Sequence, residues 1–327
     1  MLTMIRVDNV KKTFPGAMRP AVDQVTFNVN EGNICVFVGP SGCGKTTILR
    51  MINRLIEPDQ GDIFINGKDV LEMNPAFLRR TIGYVIQQIG LLPHRTIEAN
   101  VALVPGLLKW PRDKTRQRVL ELLEMVGLRP GEVGHKYPHQ LSGGQMQRVG
   151  VARALAADPP IMLMDEPFGA VDPIVRIRLQ DEFLRLQQTF KKTICFVTHD
   201  INEAIKMGDY LVIVNQGRIV QMGTPIEVLT SPADDFVLRL LGDDRGVKIL
   251  DLTRSGSLME PLQATPETPA DLNGCIVQAI QPVKIALEMM MKKNSDQVGV
   301  YNGDNIVGIL TWNAIKAHIN RVSGDGP

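Results

Sequence analysis

Ile34-Cys35-Val36-Phe37-Val38-Gly39-Pro40-Ser41-Gly42-Cys43-Gly44-Lys45-Thr46 passes from five apolar residues into an octet that fits G-x-x-x-x-G-K-[ST]. Buried strand, glycine loop and helix start form the context in which such an octet binds phosphate. Glycines let backbone N–H groups converge on phosphate oxygens, and the helix N-terminus adds positive potential. Lys45 is placed to reach the β- and γ-phosphates, and Thr46 to ligate Mg²⁺. The expected nucleotide contacts are Gly39, Pro40, Ser41, Gly42, Cys43, Gly44, Lys45, Thr46 and Thr47. A glycine turn that binds nothing is the plain alternative, and the strand–loop–helix context argues against it.

Outward from this loop, β-rich runs precede it at residues 5–10, 22–29 and 33–38, and a helix is expected over 45–55. Residues 63–65 read as a hairpin strand turning at Gly67, and 82–86 as another strand. From about 90 to 158 the pattern is helical, with Val119, Leu122, Leu123 and Val126 on one stripe that ends near Gly127. Apolar strands return at 161–164, 193–198 and 211–214. The first two each lead into polar residues and a helical stretch, the βαβ rhythm of a parallel sheet. The expected class is α/β.

Ile161-Met162-Leu163-Met164-Asp165-Glu166 is an apolar strand closed by two carboxylates. Strand ends of α/β sheets open into the crevice where ligands bind. Asp165 suits a Mg²⁺ role through water, and Glu166 is placed to orient or deprotonate an attacking water. Alone, such a pair often does no more than end a strand. Beside the glycine loop it completes a site.

Leu141-Ser142-Gly143-Gly144-Gln145 is a second glycine turn, leading into a helix over 146–156, and so a second anion-binding nest. A simple helix cap needs one Ser or Gly, not five matched residues. With this stretch the sequence resembles the ATP-binding cassette (ABC) ATPases, over about residues 4–240. The resemblance implies a P-loop NTPase fold: a RecA-like parallel sheet core, a β-rich N-terminal sheet and a helical subdomain. It implies ATP and Mg²⁺ as ligands and a head-to-tail homodimer. In that dimer Ser142, Gly143, Gly144 and Gln145 of one subunit close over ATP held by the other.

Further positions match the family one by one. Gln87 resembles the glutamine that senses Mg²⁺ and the attacking water, with Gln88 a neighbouring candidate. His199 resembles the switch histidine at the γ-phosphate, although a strand-end histidine alone is more often structural. Gly169-Ala170-Val171-Asp172 resembles the loop that links the two sites, with Asp172 serving ATP in trans and Val171 where Leu is usual. Phe14 stands where a tyrosine commonly stacks on adenine, and keeps the ring without the hydroxyl. The expected catalytic set is Glu166, His199 and Gln87, and the Mg²⁺ set is Thr46, Gln87 and Asp165.

Composition narrows the partners. Thirty-six basic and 35 acidic side chains leave a net charge of +1, which argues against a nucleic-acid footprint. Four cysteines without CxxC or CxxH spacing suggest neither a zinc site nor a disulfide framework. No apolar run approaches the ~20 residues of a membrane span, so the chain is expected to be cytosolic unless a partner holds it at a membrane. The resemblance to ABC importers implies peripheral attachment at the cytoplasmic face. Only residues 88–140 separate Gln87 from Leu141, too few for the coiled coil of chromosome-type ABC proteins. The stretches Asn53-Arg54-Leu55-Ile56-Glu57-Pro58 and Tyr137-Pro138-His139-Gln140 resemble the glycine betaine, carnitine and choline importers. The resemblance implies two membrane permease subunits and an extracytoplasmic solute-binding protein as partners. A methionine-type importer or a nucleotide-dependent switch that transports nothing are the alternatives.

The expected domains are an ABC ATPase over 1–242, a proline-bearing linker over 243–274 and a small α/β domain over 275–327. The last reads helix–strand–turn–strand–helix and resembles one cystathionine-β-synthase (CBS) motif, with a regulatory or dimerising role. Leu258-Met259-Glu260-Pro261 is a faint echo of a first copy, and Met289-Met290-Met291 is expected as an exposed run.

Overall fold

The computed structural model describes residues 2–86, 90–169, 171–261, 274–303 and 305–323. It divides into two units, Met1–Pro225 and Ile226–Pro327.

In the first unit, β1 (Thr3–Lys12) and β2 (Val22–Asn30) pair antiparallel, with Val22, Val25, Phe27 and Val29 turned into the core. β3 (Ile34–Val38) is buried along its whole length and runs into α1 (Lys45–Ile52). That helix stops short of the expected residue 55. Arg54 takes a left-handed φ of 47°, and Leu55 N–H bonds back to Arg50 O at 2.8 Å. The Arg54 guanidinium is held there by the Val70 and Met73 carbonyls.

β4 (Gln60–Ile65) and β5 (Lys68–Asp69) form a hairpin whose turn residues Asn66 and Gly67 have φ of 49° and 75°. They complete a sheet of order β2-β1-β4-β5. α2 (Pro75–Thr81), capped by Asn74, leads into β6 (Ile82–Val85).

The helical stretch contains α3 (Ile97–Val101), α4 (Leu103–Leu107), α5 (Arg112–Met125), α6 (Pro130–Val133) and α7 (Gly143–Leu155). Val119, Leu122 and Leu123 form the buried face of α5. Asn100, fully buried, donates to the carbonyls of Leu92, Arg95 and Thr96 and fastens the preceding loop.

β7 (Ile161–Asp165), α8 (Pro173–Phe190), β8 (Thr193–Thr198), α9 (Ile201–Met207), β9 (Tyr210–Asn215) and β10 (Arg218–Gly223) finish the unit. The second sheet has the order β10-β9-β3-β8-β7-β6 and is parallel except for β10. Its central strands are buried throughout, which is why they read as unbroken apolar runs.

α10 (Pro225–Thr230) spans the boundary, and α11 (Asp235–Leu241) lies in the second unit although the sequence placed it in the first domain. α12 (Arg245–Leu252), α13 (Ser255–Leu258) and β11 (Glu260–Pro261) replace the expected linker over residues 245–261. Leu250 of α12 joins the core formed by β12 (Ile276–Gln278), α14 (Val283–Lys293), β13 (Gln297–Asn302), β14 (Asn305–Thr311) and α15 (Trp312–Ser323).

The sheet order β11-β14-β13-β12 puts Pro261 on an edge strand, where its missing N–H costs nothing. Leu258 and Met259 pack against the core of this same unit, beside the β11–β14 pairing. The expected methionine run is also corrected: Met290 is buried in the core while Met291 is 74% exposed. Consecutive helical residues point about 100° apart, so three in a row cannot share a face.

Candidate functional site

The glycine loop is shaped by positions that no other residue fits. Gly39 (φ 155°) and Gly44 (φ 108°) would each drive a Cβ to within 2.1–2.3 Å of a carbonyl oxygen, of Val214 and Ala21 respectively. Pro40, Ser41 and Gly42 face solvent, while Cys43 and Lys45 are buried. Gly44 caps α1 without a side chain, so no side-chain acceptor satisfies the first N–H groups of that helix. Lys45 Nζ donates to the carbonyls of Gly39 (2.7 Å) and Pro40 (2.8 Å) and lies 3.6 Å from Cys43 Sγ. The loop thus holds a cation at the positive end of a helix, a costly arrangement that an anion relieves.

Thr46 Oγ1 donates to Asp165 Oδ1 at 2.9 Å, joining the start of α1 to the end of β7. Burial pushes the Asp165 carboxyl above the usual range, while the Thr46 hydrogen bond and nearby Arg50 and Lys45 oppose the rise. Thr47 follows on α1, half-buried. Hydroxyl and carboxylate oxygens are a hard donor set of the kind that suits Mg²⁺.

Glu166 adopts φ 47°, a left-handed conformation that a side chain makes costly. Its N–H bonds Val197 O at 2.9 Å, and its carbonyl accepts from Gly169 N at 3.1 Å. The strain aims the carboxylate at His199, whose Nδ1 lies 3.2 Å from Oε1. His199 follows β8, the strand between β3 and β7. Lys45, Thr46, Asp165, Glu166 and His199 therefore meet at the carboxyl ends of three adjacent parallel strands.

The second glycine turn is built as a helix cap. Ser142 Oγ accepts from Gln145 N (3.3 Å) and Gln145 Oε1 accepts from Ser142 N (3.0 Å), so α7 begins at Gly143, three residues before the sequence placed it. Open space surrounds Gly143 and Gly144, which leaves the turn presented outward. Asp172 Oδ1 caps α8 through Ile174 N at 3.0 Å. Phe14, 38% exposed, sits on the loop after β1. Gln87, Gln88 and Ala170 lie outside the described residues.

Sequence reasoning missed Gln147, whose Nε2 donates to the Glu166 carbonyl at 3.2 Å. The available signal was one polar residue among the otherwise apolar buried positions of α7, two positions past the glycine turn.

Residues 22–169 match the ABC transporter family. The chain is 48% identical over 305 residues to the glycine betaine/carnitine/choline transport ATP-binding protein of Bacillus subtilis, covering 93% of this chain and 77% of that protein. This chain belongs to the ABC transporter ATP-binding proteins. A second ABC relative, the osmoprotectant import ATP-binding protein of Salmonella typhimurium, is 52% identical over 272 residues, 81% of this chain and 71% of its own length. Among solved structures, a dimeric ATP-binding cassette in a post-hydrolysis state bound to ADP and Pi superposes with a TM-score of 0.63. It is 35% identical and covers 68% of this chain and 99% of its own. The ABC ATPase fold thus accounts for the two sheets and the helical stretch of the first unit.

Proposed function

We propose that this ABC chain hydrolyses ATP to power import of a quaternary amine osmoprotectant of the glycine betaine, choline or carnitine class. It works as a head-to-tail homodimer on two separate membrane permease subunits, at the cytoplasmic face of the membrane, with an extracytoplasmic binding protein delivering the solute. The convergence of Lys45, Thr46, Asp165, Glu166 and His199 at three adjacent strand ends carries the hydrolytic reading. The names of the relatives support the solute class. No helix among the described residues is long and apolar enough to cross a membrane, in keeping with separate permease chains.

The site divides its labour by chemistry. Backbone N–H groups of residues 39–47 cradle the phosphates, and Lys45 exchanges its two carbonyl contacts for phosphate oxygens. Thr46 and Asp165 would hold Mg²⁺, and Gln87 is the further oxygen donor that the sequence suggests. Bound Mg²⁺ neutralises charge on the phosphate oxygens. Glu166 orients the attacking water or takes its proton, and His199 bridges that carboxylate and the γ-phosphate. Phe14 offers its ring to adenine. Ser142, Gly143, Gly144, Gln145 and Asp172 serve the ATP of the other subunit. The second unit is a CBS-like regulatory or dimerising module.

The test is uptake in proteoliposomes containing the chain with its permease and internal ATP. Labelled choline, glycine betaine or carnitine should accumulate, and replacing Glu166 with Gln should abolish that uptake. Uptake of methionine instead would move the solute class, and tight ATP binding without turnover would identify a switch.

A further inference from the structure

Gln147 is 6% exposed, in the second turn of α7, five residues beyond the Ser142 cap. Its Nε2 donates to the main-chain carbonyl of Glu166 at 3.2 Å, and its Oε1 is buried with no hydrogen-bond partner among the described residues. A carbonyl can be met only by the amide's NH₂ end, so the orientation follows from the partner. Gln147 is one wall of a cavity of about 50 Å³ that is otherwise lined largely by apolar side chains, among them Val151, Phe168, Leu179 and Phe183. A leucine would suit those walls better, since a buried amide oxygen without a partner is costly. What the glutamine adds is one donor, spent on Glu166.

The place of that donor matters. Glu166 keeps its left-handed φ of 47° because its surroundings hold it, and Gln147 contributes from a different element of the fold. The direction of the Glu166 side chain, and so its 3.2 Å contact to His199, depends on that backbone geometry. We infer that Gln147 is a positioning residue that ties the outward glycine turn at Ser142 to the backbone of Glu166 in the same subunit. Resting on the reading above, ATP held by the other subunit presses on the turn, α7 moves as a rigid element, and the Glu166 carbonyl moves with it. Occupancy of one nucleotide site thereby sets the aim of the carboxylate in the other. Gln147 touches no substrate and acts through Glu166 alone.

The experiment compares Gln147→Leu and Gln147→Glu in the purified full-length chain. For Gln147→Leu, kcat should fall about tenfold, the weight of one hydrogen bond in the transition state, with ADP affinity within about twofold. Its thermal midpoint should not fall, because the unpartnered oxygen is gone. Gln147→Glu sets a carboxylate against the carbonyl when ionised and restores a donor when protonated. Its kcat relative to the parent chain should therefore rise as pH falls from about 8.5 to about 6, while the ratio for Gln147→Leu stays flat. A parental kcat for Gln147→Leu would overturn the inference. So would a flat ratio for Gln147→Glu, or a joint loss of kcat, ADP affinity and thermal midpoint. If Glu166→Gln also hydrolyses normally, the underlying reading fails; if Glu166→Gln is inactive and only the Gln147 variants are normal, the inference alone fails.

Discussion

Nδ1 of His199 lies 3.2 Å from Oε1 of Glu166, a contact between residues that follow the paired strands β7 and β8. The imidazole is 59% exposed and the carboxylate 22%, so the pair sits at the mouth of the site. With Nδ1 committed to the carboxylate, Nε2 is the nitrogen able to address a phosphate oxygen. Replacing His199 with Ala should lower kcat about a hundredfold, through loss of the contact that orients the Glu166 carboxylate toward the γ-phosphate, and change ATP affinity only a few-fold. Steady-state turnover and equilibrium binding measured on one preparation decide this. A loss confined to affinity would remove His199 from the chemistry.

Lys45 differs in kind. Its ammonium already has two carbonyl acceptors, and on the proposed reading phosphate oxygens replace them with a charge-assisted contact worth about 2 kcal/mol net. Lys45→Ala should weaken ATP about thirtyfold by titration calorimetry. Unchanged affinity would mean that the lysine stays folded onto the loop.

Ser142 tests the second subunit. Its Oγ caps α7 through Gln145 N, on a turn that otherwise faces open space. Ser142→Arg should leave ATP binding by the monomer within about twofold and abolish ATP-driven dimers on a Glu166→Gln background. Light scattering reads the mass directly, and dimers forming as before would place the turn away from the interface.

Glu203 supplies a pH signature. It is 6% exposed on α9 and accepts from Gln180 Nε2 at 2.9 Å. Burial raises its pKa, outweighing the lowering effects of Thr198 and Gln180; Asp200 adds to the rise and Arg176 opposes it. A raised folded-state value means that this group favours folding below the ordinary carboxylate range, and that the contribution disappears as pH climbs through the folded value. Glu203→Gln keeps an acceptor for Gln180 without the buried charge. Its thermal midpoint should exceed that of the parent by a few degrees at pH 8, with the gap closing toward pH 4. A constant gap would point to packing as the cause.

The glycine loop and β8 were legible because each rests on local chemistry: glycines with forced φ, and an apolar run whose observed limits, Thr193–Thr198, are those expected. The stop of α1 was not legible, since Arg54 carries no local mark of a left-handed residue and is held by the distant carbonyls of Val70 and Met73. Prolines 261, 266 and 269 concealed α12, whose buried pair Ile249 and Leu250 is too short a pattern to stand against them. Gln147 escaped for the same reason as Arg54: its partner, 19 residues away, is fixed only by the packed fold.

Glu166 as the group that activates water is tested most directly by single-turnover hydrolysis in the Glu166→Gln chain, followed by light scattering with ATP and Mg²⁺. The carboxylate supplies the proton acceptor and the amide does not, so the variant should bind ATP with parental affinity, hydrolyse it at least a hundredfold more slowly and accumulate as an ATP-bound dimer. Parental turnover with no trapped dimer would contradict the assignment.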